Sequence, residues 1–137
     1  MFKTFARAVA VLTVAALPYA AAAQTKHDHK HDHEAMAKHG GTVAEVGSYD
    51  VEILVAGGKL VVYVYDDHGK DISNKATKGD AVFVVGGASK KVNLAPVDGI
   101  LSGPLGFDTK AGDDLDAVLR ITVSGKSHTG KAELHPK

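Results

Sequence analysis

The sequence predicts an all-β protein: a small antiparallel β-sandwich of about seven to eight strands, preceded by a signal peptide and a disordered His-rich tail. Three observations carry this. From His39 onward, short runs of β-branched and aromatic residues recur about every eight to twelve residues, with Gly, Asn and Asp between them. Several runs alternate apolar and polar side chains, the period of a strand with one buried face. Outside the N-terminal leader, no segment holds a 3.6-residue apolar period.

The elements follow in order. The leader MFKTFARAVAVLTVAALPYAAAA has Lys3 and Arg7, an apolar run from Ala8 to Leu17, then small residues through Ala23. This is the pattern of a secretory signal peptide, so 1–23 are expected to be removed near Ala23. The run is too short to span a bilayer, so no membrane association is expected after cleavage. The expected location is the periplasm. Residues 24–38 have Ala35, Met36 and Ala37 as their only apolar side chains. Such a segment cannot offset the entropy of ordering, so a flexible tail is expected there.

Residues 39–137 form the expected domain. Its first strand is Thr42–Val46, and Asp50–Ala56 places Val51, Ile53 and Val55 on one face. Gly57-Gly58 reads as a tight hairpin turn into Lys59–Asp66. That strand is apolar on both faces, which predicts a central position. After the Asp67-His68-Gly69-Lys70 turn come Ala81–Val85, the Gly86-Gly87 turn and Lys90–Leu94. Ile100–Leu105 contains Gly103 and Pro104 and is expected to be an edge or an irregular strand. Ala117–Val123 alternates cleanly, and the Ser124-Gly125-Lys126 turn leads to a last strand near Thr129–Leu134.

Composition narrows the function. The chain has 16 basic and 16 acidic residues, and losing Lys3 and Arg7 leaves 14 basic against 16 acidic. No basic excess recommends a nucleic-acid partner. No cysteine is present, so no disulfide supports the fold. There is no Cys nucleophile, no G-x-S-x-G and no phosphate loop, so no enzyme is expected.

The chemistry concentrates in HDHKHDH, residues 27–33. His27, His29, His31 and His33 are four of the eight histidines in the chain. Imidazole suits divalent Zn, Cu(II), Ni and Co. His-x-His spacing in extended chain puts both rings on one side of the backbone. Asp28 and Asp32 can ligate or orient the rings. With no Cys and only Met36 after cleavage, soft Cu(I) is not favoured. His39, in His39-Gly40-Gly41, is the next candidate ligand. Glu52 joins it on the condition that its strand lies beside that loop. His68 reads as turn chemistry, and His128 and His135 as exposed strand or tail residues.

The run HGGTVAEVGSYDVEILVAGGKLVVYVYDDHGKDIS resembles a known family. It is similar to the small β-domain near the N-terminus of periplasmic adaptor (membrane-fusion) subunits of heavy-metal efflux pumps. The matching elements are His39-Gly40-Gly41, Tyr49 with Glu52, YVYDDHGKDI, and later VNLAPVDGILSG and the hairpin at Ser124-Gly125-Lys126. The resemblance implies a β-sandwich that handles metal cations in the periplasm. The helical-hairpin and lipoyl-like domains of the adaptors have no counterpart in this chain, so bridging a pump is not carried over. Two functions follow as expectations. One is a periplasmic protein that captures or buffers divalent transition metal ions and hands them to a heavy-metal efflux component. The other is a non-enzymatic interaction module of a transport or envelope complex, with the tail as a solvated arm.

Overall fold

The structure, a computed structural model, describes residues 37–137. The expected signal peptide lies outside the described residues, as does the His-rich tail up to Met36.

The fold is all-β. Its eight strands are β1 Thr42–Val46, β2 Tyr49–Ala56, β3 Lys59–Tyr65, β4 Ala76–Val85, β5 Ala88–Val97, β6 Ile100–Pro104, β7 Leu115–Val123 and β8 Lys126–Leu134. A short 3-10 turn, Ser73–Lys75, precedes β4. Every pairing is antiparallel, in the order β1-β2-β3-β6-β5-β4-β7-β8. The two layers of the sandwich are therefore halves of one sheet. The sheet curls until its end strands, β1 and β8, pack side by side.

Between the layers lies the core, and period-two patterning fills it. β7 buries Leu115, Ala117, Leu119, Ile121 and Val123 and exposes the residues between them, apart from a partly covered Thr122. β3 sends Leu60, Val62 and Val64 inward, all at 0% exposure. Phe83 and Leu101 are equally enclosed. Among the described residues, no helix is long and apolar enough to cross a membrane.

Three expectations change. Ile100–Leu105 is not an edge: β6 pairs with both β3 and β5 and joins the two layers. Pro104 is tolerated because it is the last residue of the strand. Gly103 is required because a Cβ there would overlap the Asn93 carbonyl oxygen of β5. β4 begins at Ala76 rather than Ala81. Thr77-Lys78-Gly79-Asp80 looks like loop, yet β7 pairs with it across an irregularity between Ala76 and Lys78, and β5 from Gly79 onward. His128 is not freely exposed. Its ring packs edge-on against Tyr49 at 4.9 Å, and its Nε2 is buried without a hydrogen-bond partner.

Candidate functional site

Glu52 lies between Val51 and Ile53, which point into the core, so alternation turns it to the outer face of the sheet. On that face its cross-strand neighbour is Tyr63 of β3, and Tyr65 lies two residues further along the same side. A carboxylate on an outer face is ordinarily solvated. Glu52 is 0% exposed, because residues 38–41 fold back over it.

Two glycines make that fold-back possible. Gly40 adopts φ 78°, in the left-handed region that favours glycine. Gly41 lies so close to β2 that a Cβ would stand 2.6 Å from the Ile53 carbonyl oxygen and 2.9 Å from Glu52 Cγ. With no side chain to obstruct them, the backbone amides converge on the carboxylate. Glu52 Oε1 accepts from His39 N at 2.7 Å and Gly41 N at 2.9 Å. Glu52 Oε2 accepts from Lys38 N at 3.0 Å, the Tyr65 hydroxyl at 2.9 Å and His39 Nδ1 at 2.9 Å.

Burial alone pushes the Glu52 carboxyl up. The Gly41 amide, the His39 ring, and the His39 and Lys38 amides outweigh it and hold the carboxyl down at about 2. Glu52 is therefore an anion at neutral pH. Tyr65 moves the other way: burial, then its bond to ionised Glu52, hold its hydroxyl well above the usual range. Tyr65 is a permanent donor.

These charges fix the histidine. An ionised carboxylate only accepts, so the proton of the neutral His39 ring sits on Nδ1. The Tyr65 oxygen, 3.2 Å away, shares it. The lone pair is then on Nε2, which has no hydrogen-bond partner among the described residues. The ring lies flat on Tyr63, with centroids 3.6 Å apart and planes 2° apart. It remains 36% exposed. Lys38 completes the cover: its ammonium sits 4.8 Å over the Tyr65 ring and donates to the Gly69 carbonyl at 2.9 Å.

A buried carboxylate holding one imidazole nitrogen while the other stays open is the arrangement that orients metal-ligating histidines. The structure thus brings His39 and Glu52 together. Glu52, enclosed and bonded to five donors, is placed to orient the ring rather than to meet an ion. His27, His29, His31 and His33 lie outside the described residues.

Two other groupings have the composition of a metal site. Asp66, Asp67 and His68 offer donor atoms within 4.8 Å of one another, as do Asp114, Glu133 and His135. In the first, Asp66 already accepts from the His68 and Lys70 amides, which is ordinary turn chemistry. In the second, exposed His135 bonds Asp114 at 2.8 Å on open surface.

Sequence reasoning placed Tyr63 and Tyr65 in a strand and in the resembling run YVYDDHGKDI, but gave them no role in the site. The available signal was alternation: both share the outer face with Glu52. What alternation does not give is the cover, since Lys38 reaches Gly69 across 31 residues of chain. Of the residues that carry the family resemblance, His39-Gly40-Gly41, Glu52, Tyr63 and Tyr65 meet here, while Tyr49 packs on His128.

No family model matches the chain, and no curated protein matches it. Among solved structures, the crystal structure of a Br derivative of BhCBM56 is similar at 13% sequence identity and a TM-score of 0.44. The match covers 68% of this chain and 98% of that one.

Proposed function

We propose that this protein captures divalent transition metal ions in the periplasm. The ions are Zn, Cu(II), Ni or Co, the ligands are the histidines of the tail, and His39 is the ordered ligand where the tail meets the domain. The observation that carries this reading is the state of His39: its Nδ1 is tied to the buried Glu52 anion and its Nε2 is open. A ring stacked on Tyr63 and bonded at Nδ1 gives up little freedom when it ligates. The tail supplies the rest of the set, since His33 stands six residues before His39. The resemblance to the adaptor domain of heavy-metal efflux pumps points the same way, and an efflux component is the proposed recipient.

A site of neutral imidazoles binds moderately and releases its ion on acidification, which suits a carrier better than a permanent cofactor. Calorimetric titration of the untagged processed chain, beginning at Gln24, tests this with each of the four metals at about pH 7.5 and about pH 5.5. Binding is expected at the higher pH and should weaken by an order of magnitude or more at the lower. His39→Gln should weaken it about tenfold or more and leave the fold intact. Absence of binding at the higher pH with all four metals would overturn the reading.

A further inference from the structure

Strand β2 outlasts its neighbour. The β1–β2 ladder ends at the pair Thr42↔Ile53, whereas β2 continues beside β3 to Ala56↔Lys59. Among the described residues, Leu54, Val55 and Ala56 therefore have a ladder partner on one side only. The cause is the same turn that covers Glu52. At Gly41 and Gly40 the chain leaves the line of β1 and crosses onto the sheet face.

The place β1 vacates is a cleft of about 420 Å³. Leu54 and Val55 line it together with Leu134 to Lys137. Peptide groups of a strand point alternately to its two sides, so part of this backbone faces the cleft with its hydrogen-bonding groups unspent. Leu54 and Val55 are only half-buried, so apolar surface faces the cleft as well. Its ionisable lining side chains are those of His39, His135 and Lys137, with no side-chain carboxylate among them. His39 and His135 are already bonded to Glu52 and Asp114, which leaves the Lys137 ammonium as the charge on offer.

We propose that this slot is a docking site for an acidic extended peptide of a partner protein, which adds as a short strand beside Leu54–Ala56. Backbone hydrogen bonds to the free edge supply the affinity, and successive peptide side chains, on opposite faces of the sheet, meet Leu54 and Val55. The ammonium of Lys137 favours acidic partners over basic ones. The slot shares His39 with the proposed metal site, but strand addition itself needs no metal ion.

The probe is acetyl-Glu-Val-Thr-Val-Glu-amide, titrated in EDTA into the untagged processed chain and followed by backbone amide NMR. Amides of residues 40–42 and 53–56 and of Leu134, His135 and Lys137 should shift, and exchange at Leu54–Ala56 should slow. The counterpart peptide with Lys in place of both Glu should leave them in place. Lys137→Glu should weaken the acidic peptide about two- to fivefold, the worth of one exposed charge pair. Methylation of the peptide's backbone nitrogens separates strand addition from simple charge attraction. Methylating both valines and methylating the threonine should differ, one abolishing binding and the other sparing it, because alternate amides face the slot. Equal effects of the two methylations, shifts elsewhere, or equal binding of the Lys peptide would overturn the proposal. So would shifts of the same amides on raising protein concentration alone, which would put a second copy in the slot.

Discussion

Glu52 shows at the scale of one residue how an unfavourable placement becomes structural. A fully enclosed carboxylate costs several kcal/mol unless its oxygens are satisfied. Here five donors satisfy them. Glu52→Gln removes the charge those donors point at, and should destabilise the domain by about 3 kcal/mol in urea unfolding. The pH dependence has a definite sign. The folded carboxyl titrates at about 2 against an ordinary 4.5. Its contribution is present in full above the ordinary value and is lost as pH falls towards the folded one. A depression of this size corresponds to about 3 kcal/mol. The stability gap between the natural chain and Glu52→Gln should therefore close between about pH 5 and about pH 2. A gap constant over that range would show that the charge of Glu52 is not what holds the loop. At this scale much was legible: His39 and Glu52 were candidates from residue type and from the glycines between them. The tyrosines were not, because the cover is a contact between segments far apart in sequence.

Individual elements were legible wherever local chemistry decides them. Hairpin turns are the clearest case. Gly57-Gly58, Gly86-Gly87 and Ser124-Gly125 all carry positive φ at both positions, the geometry of two-residue hairpins. Val92 and Leu94 point inward, as alternation requires. β6 resisted reading because its Gly and Pro have meaning only in the assembled sheet. Gly103 looks like a strand breaker in isolation and is the residue that lets β6 run close under Asn93. Gly103→Ala should cost about 3 kcal/mol, seen as a lower melting temperature, since backbone rather than a mobile side chain must yield. An unchanged melting temperature would mean that β5 and β6 can separate at no cost.

At the scale of the whole molecule, the absence of helical periodicity and the regular turn spacing announced an all-β fold of the right strand number. That the two layers are one curled sheet was not readable. Closure depends on where β1 meets β8, and that contact is set by Gly130. A Cβ there would overlap the Glu45 carbonyl oxygen and stand 2.9 Å from Val46 Cα. Gly130→Val should pry the end strands apart, at about 2 to 3 kcal/mol. Amide exchange should then speed up in β1 and β8 while β4 and β5 keep their protection. Uniform acceleration would instead mean that the seam unfolds only with the whole domain. Residue, element and sheet meet at His39: an outer-face carboxylate, a glycine turn and a tyrosine stack leave one imidazole nitrogen open, where we propose a metal ion binds. The most direct test is NMR of the ring nitrogens in the processed chain, recorded as zinc is added. His39 should carry its proton on Nδ1 throughout, and its Nε2 resonance should move as the ion binds. If the chain binds zinc while His39 Nε2 stays where it was, or if Nδ1 is the nitrogen that loses its proton, His39 is not the ligand proposed.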